Sequence, residues 1–127
     1  MGLTLYSRQQ LSQHLLGVSA YTMPTTVYIG LHTADPGASG SFAAEASGGG
    51  YARQAATLAW DGGIPSVENS AAVQFDNMAA ATYTHISVSD AVTAGNMLMS
   101  AALTASVVAA SGESIQFPVG QITFPFT

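Results

Sequence analysis

The chain has 127 residues, the size of one domain, with a formal net charge of −5 and only 7% of its residues charged, against about 25% in ordinary soluble domains. There is no lysine, and Arg8 and Arg53 are the two cations, which argues against a phosphate-backbone ligand and against an anionic membrane surface. There is no cysteine, so no disulfide and no thiolate metal site can form.

The amino end reads as a helix. Ser7 is the expected cap, with Gln10 at the capping-box spacing, and Leu11, Leu15 and Leu16 give an apolar face that ends at Gly17. About three turns of helix are marginal alone in water, so this one must pack on something. No signal peptide or bilayer-length apolar run is read here, which points to folding in a cytosol.

The rest reads as β. Thr25–Thr33 alternates as a strand and stops at Asp35-Pro36-Gly37. Residues 38–50 form a small-residue loop, expected to be flexible or ordered only by a partner. Tyr51–Trp60 is the next strand, closed by Asp61-Gly62-Gly63. Val67–Phe75, Tyr83–Ser89, Met97–Leu103 and Val107–Glu113 follow, with turns at Ala91–Asn96 and Ser111-Gly112. Ile115, Phe117 and Val119 alternate, as do Ile122, Phe124 and Phe126, and Pro118 and Pro125 place these last strands at sheet edges.

Seven or eight short strands with turns about every ten residues predict a mainly β chain, an antiparallel sandwich or jelly roll with a short N-terminal helix. The expected division is one domain over 1–127, with an arm and helix in 1–20 and the sandwich in 25–127. The compact alternative is a mixed α+β sheet with the helix laid across it. So weakly charged a surface also favours burial against neighbours over a monomer, because interface cores are depleted in charge.

The residues point to no catalytic, cofactor or metal site. His14, His32 and His85 are scattered, whereas a metal needs convergent ligands. His14 and His85 are placed on polar faces. His32 and Asp35 are close in sequence, but Asp35 before a proline reads as a turn residue. There is no Gly-x-Ser-x-Gly elbow, and Asp61, Glu68, Asp76 and Asp90 are dispersed at turns rather than paired. Gly48-Gly49-Gly50 lacks the residues of a phosphate loop and reads as conformational.

Arg53 stands out. An arginine in a strand beside Tyr51 needs a carboxylate or several carbonyls, since its donors are costly to leave unpaired. It is expected to pin the Asp35 or Glu45 loop to the sheet, or to reach across a subunit boundary. With it, Tyr51, Asp35, Glu45, Gly50, Trp60 and Arg8 are the structural or interface candidates. Tyr51, Trp60, Phe75, Phe117, Phe124 and Phe126 are expected in the core or an interface.

Several strings together resemble a known family. They are Leu15-Leu16-Gly17, Pro24-Thr25-Thr26-Val27-Tyr28-Ile29-Gly30-Leu31, Thr33-Ala34-Asp35-Pro36, Gly48-Gly49-Gly50-Tyr51-Ala52-Arg53-Gln54, His85-Ile86-Ser87-Val88-Ser89-Asp90, Gly95-Asn96-Met97-Leu98 and Ala101-Ala102-Leu103-Thr104. The chain is similar to small bacteriophage virion structural proteins labelled tail fibre or head decoration. In that family the later strand reads closer to Phe-Gly-Ile-Phe-Asp with Gly-Asn-Leu-Leu after it, and the aromatics are replaced here.

The resemblance implies a non-enzymatic part of a virus particle, made in the host cytoplasm. With no repeat or second domain visible, it favours a capsid decoration or cement protein on the capsid surface over a tail or collar fibre or a carbohydrate-binding module. The implied partners are the major capsid protein or other virion proteins, and a homotrimer is expected, with no nucleic acid, membrane or cofactor. The lattice contact is expected in residues 1–10 or 38–50.

Overall fold

A computed structural model describes residues 2–62 and 66–125. The order is β1 (Gly2–Leu3), α1 (Leu5–Leu15), β2 (Val27–His32), β3 (Gln54–Ala56), β4 (Leu58–Trp60), β5 (Ser66–Asn69), β6 (Val73–Met78), β7 (Ala81–Ser89), β8 (Met97–Ala109), β9 (Glu113–Phe117) and β10 (Thr123–Pro125). Every pairing is antiparallel. A five-stranded sheet runs β1-β8-β7-β2-β3, a second runs β10-β5-β4, and β6 pairs with β9. The chain is thus mainly β with one short N-terminal helix in a single small domain, the expected class.

One core joins these sheets. Ile29 and Leu31 from β2, Ile86 and Val88 from β7, Val73, Phe75 and Met78 from β6, Ile115 from β9 and Phe124 from β10 pack together. The alternation that reads as strand is what sends these side chains to one face. Phe75 is fully buried, stacked parallel on Tyr51 at 6.0 Å and edge-on to Phe117 at 6.3 Å.

The helix begins one turn before the expected start. Thr4, not Ser7, is the cap, and its Oγ1 accepts from Ser7 N at 3.3 Å. The reason is tertiary. Thr4 Oγ1 donates to Met97 O at 2.6 Å and Ser7 Oγ donates to Leu98 O at 2.7 Å, so both hydroxyls hold the helix onto β8. At the far end Gly17 takes a φ of +75°, Gly17 N bonds His14 O and Val18 N bonds Gln13 O. This is the paired-bond stop that a glycine permits.

The expected strand over Tyr51–Trp60 is two strands in different sheets. They part at Thr57, whose carbonyl accepts from Ser70 N at 2.8 Å. Val67–Phe75 likewise divides into β5 and β6. The expected strand Met97–Leu103 runs on instead as one long β8 to Ala109, residues 103–106 stand opposite Thr84 alone as a bulge, and the expected Ser111-Gly112 turn follows. β10 is an edge strand, which suits Pro125. Gly63 and Phe126, assigned above to a turn and to a last strand position, lie outside the described residues.

The 38–50 loop does not depend on a partner for its order. Glu45 bridges His32, Thr33 N bonds Ala44 O at 2.9 Å, Ala46 N bonds Leu31 O at 2.8 Å, and Ala46 is buried. The triple glycine lets this loop close on β6. A Cβ on Gly49, at a φ of +56°, would stand 2.4 Å from Asn77 O.

Candidate functional site

β2 is buried on both sides. Ile29 and Leu31 face the core, while Gly30 and His32 are buried on the opposite face. Their neighbours there come from β7, with Gly30 beside Ser87 and Tyr28 beside Ser89. The 38–50 loop and the chain leading into β3 cover this polar face and bring Glu45, Tyr51 and Arg53 onto it.

Arg53 is almost fully buried, and all three of its guanidinium nitrogens donate. Nε donates to Glu45 Oε2 at 2.6 Å and Nη2 to Glu45 Oε1 at 2.9 Å, a bidentate pair. Nη1 donates to Ala91 O and Ala94 O, each at 2.8 Å, and to Ser89 Oγ at 3.4 Å. The guanidinium carbon lies 4.2 Å from the centre of the Phe42 ring, a cation–π contact. Tyr51 Oη donates to Glu45 Oε2 at 2.8 Å and accepts from Leu31 N at 3.3 Å. A single arginine therefore ties the 38–50 loop to the turn after β7. That turn is itself closed by Asp90, which accepts from Asn96 N at 2.8 Å and Asn96 Nδ2 at 3.0 Å.

His32 lies fully buried beside this pair. Its Nε2 meets Ser87 Oγ at 2.7 Å and its ring stacks on Phe42, while Nδ1 has no hydrogen-bond partner. Burial holds its pKa below the ordinary 6.5, partly offset by Glu45 and reinforced by Arg53. Burial pushes Glu45 up, but the bonds from Arg53 and Tyr51 outweigh it and leave the carboxyl below its ordinary 4.5. Burial and the Glu45 bond raise the Tyr51 phenol. The Glu45 bond, against the pull of burial, raises Arg53.

The cluster should make the fold acid-sensitive in two steps. A depressed histidine contributes stability above its unfolded pKa, near 6.5, and loses it as pH falls through the folded value. A depressed carboxyl does the same from near 4.5 downward. The urea midpoint is expected to fall between pH 7.5 and 5 and more steeply below 4.5, with His32→Gln flattening the upper step. An unchanged midpoint from pH 7.5 to 5 would show that His32 is not the titrating group.

The site candidates from the sequence separate into two groups. Arg53, Tyr51 and Glu45 converge. Asp35 is exposed and accepts from Gly37 N at 2.9 Å within its own turn, so it is neither Arg53's partner nor a neighbour held by His32. Gly50 bonds Asn77 O through its backbone N at 2.6 Å. Trp60, expected in the core or an interface, is exposed on β4 rather than buried in this chain. Arg8 is exposed on α1 and shares a shallow pocket of about 280 Å³ with Asp35 and His85.

Gly30, His32, Phe42, Ser87 and Ser89 are added by the fold. Gly30 carried a readable signal, because glycine inside a strand marks a close approach. A Cβ there would sit 3.1 Å from both Ser87 Oγ and Tyr51 Oη. No group of three His, Asp or Glu residues that could hold a metal exists among the described residues.

The cluster is buried and its members bind one another, an arrangement that fixes loops rather than presenting reactive groups. The family model described as Podophage GP4 fiber I protein gp80 matches residues 2–125. The chain belongs to this family. That match spans both walls of the Arg53 cluster, and it makes the chain a bacteriophage structural protein of the fibre kind. No curated protein matches the chain. The fibre family gives no support to the capsid-decoration expectation.

Proposed function

We propose that the chain is a structural component of a tail or collar fibre, held in the particle by other virion proteins. The observation that carries this reading is the fibre-family match across 2–125. Two physical features support it. The buried polar and charged groups around Arg53 are consumed in holding loops. The surface is poor in charge, with 7% charged residues in the whole chain, which suits burial against neighbouring proteins. This proposal replaces capsid decoration as the preferred reading.

Copy number tests it. Purified particles, analysed by quantitative mass spectrometry against the major capsid protein, are expected to hold a small number of copies. A ratio near one per capsid subunit would overturn the fibre assignment and restore decoration. Absence from particles would overturn the virion role altogether.

A further inference from the structure

We propose that the outer edge of β8 is a docking site for an extended, basic strand of another protein. The neighbours of β8 in its sheet are β7 and the two-residue β1, which covers only Met99 and Ser100. Ala101–Ala109 therefore runs along the sheet border with no strand beside it among the described residues. Natural edges are guarded by charge, by proline or by being short. This one is long, and residues 91–112 contain no charge and no proline. A row of backbone donors and acceptors at a sheet border is answered by another strand, which makes the occupant an extended segment.

The edge borders a trough that can take the side chains of such a strand. β8 and β9 are joined by a turn in which Glu113 N bonds Ala110 O, yet β8 pairs with β7 and β9 with β6. Between them lie two adjoining hollows of about 660 and 270 Å³ that share Leu103, Thr104, Phe117 and Gln121. A bulge ordinarily blunts an edge. Here Leu103, Thr104 and Ala105 of the bulge join Ile115 and Phe117 of β9 in lining the larger hollow. An added strand turns every second side chain to one face, so main-chain bonds to β8 would hold it while alternate side chains fill the trough.

Charge selects the kind of strand. Residues 1–53 balance Asp35 and Glu45 against Arg8 and Arg53, so the −5 of the chain belongs to residues 54–127, which hold five acids and no lysine or arginine. Three of those acids border the trough. Glu113 lines it, Asp76 accepts from Ser114 Oγ at 2.9 Å, and Glu68 Oε2 lies 3.5 Å from where a Cβ on Gly120 would stand, beside Gln121. No lysine or arginine lines either hollow. A strand that carries lysine or arginine is attracted there, whereas a second copy brings the same acids and is repelled.

Peptide binding to the whole chain tests this without reference to its place in the particle. The isotope-labelled chain is titrated with the end-capped peptide Lys-Thr-Val-Thr-Val-Thr-Val-Lys and followed by its amide resonances. Binding is expected with a Kd below about 1 mM. Amides of Ala101–Ala109 should shift and exchange more slowly, and those of Glu113–Phe117 should shift. A peptide with proline at its two central positions should not bind, because it lacks the donors of a ladder. Glu113 is exposed, so Glu113→Lys should leave the fold intact and weaken the lysine peptide about two- to fivefold, as one exposed ion pair allows. No shifts at ~1 mM peptide, shifts confined to another surface, or equal binding of the proline peptide would each overturn the inference. An affinity unchanged by Glu113→Lys would overturn the choice of a basic strand. Concentration-dependent protection of Ala101–Ala109 without peptide would overturn it too, since a second copy would then hold the edge. None of these results would alter the copy-number test of the fibre role.

Discussion

Replacing Arg53 with alanine is expected to destabilise the chain by about 3–5 kcal/mol, the usual cost of removing one partner from a buried ion pair. The cost comes from the groups left behind. Glu45 keeps a buried charge with only Tyr51 bonded to it, and the carbonyls of Ala91 and Ala94 lose their shared donor. Lysine should rescue little, because an ammonium cannot make the two parallel bonds to Glu45 and reach two carbonyls together. Replacing Arg53 and Glu45 together by apolar residues should cost less than the sum of the single changes, since no unpaired charge remains. Urea unfolding of the wild type, the two single apolar variants, the lysine variant and the double variant checks this. A loss below about 1 kcal/mol for Arg53→Ala would mean that the ion pair behaves like an exposed one.

Phe75→Ala is expected to cost a similar amount, about 3–5 kcal/mol. Phe75 is fully buried on β6, and its ring is the link between the core and the polar cluster, through Tyr51 on one side and Phe117 on the other. Truncation leaves a cavity whose walls are held by strand pairing and cannot collapse freely. Tyr51 would also lose the surface that orients its hydroxyl towards Glu45. Phe75→Leu, which retains most of the volume, should cost clearly less. Guanidinium or urea midpoints give the comparison, and equal losses for alanine and leucine would show that the aromatic contacts, not the filled volume, carry the effect.

These two residues mark how much was legible in the sequence. Phe75 alternates with Val73 on an apolar face, and period-two burial makes such positions readable as core. The chemistry of Arg53 demands partners, and two acids in the neighbouring loop and turn could have served. Choosing between them takes geometry, because Asp35 bonds its own turn while Glu45 is brought to β2 by the bridge to His32. The carbonyls of Ala91 and Ala94 left no trace in the sequence, since a backbone acceptor has no letter.

The misplaced boundaries have the same origin. Thr4 and Ser7 both carry capping chemistry, and the decision rests with Met97, 93 residues away from Thr4. Thr57 gives no local warning that the chain changes sheet there. Trp60 occupies an alternating strand position, but its strand is at the edge of a small sheet that leaves that side exposed. The small residues of 38–50 read as flexible because composition does not reveal that Phe42, Glu45 and Ala46 anchor the loop.

The double burial of β2 has a consequence for how this sequence can drift. An ordinary strand varies freely at every second position, where side chains meet water. From Ile29 to His32 there is no such position, because one side is core and the other lies under Glu45, Tyr51 and Phe42. Four successive residues are therefore constrained for two unrelated reasons, apolar packing and a close polar approach. A deep substitution scan should show an unbroken intolerant block there, where most strands would show an alternating one.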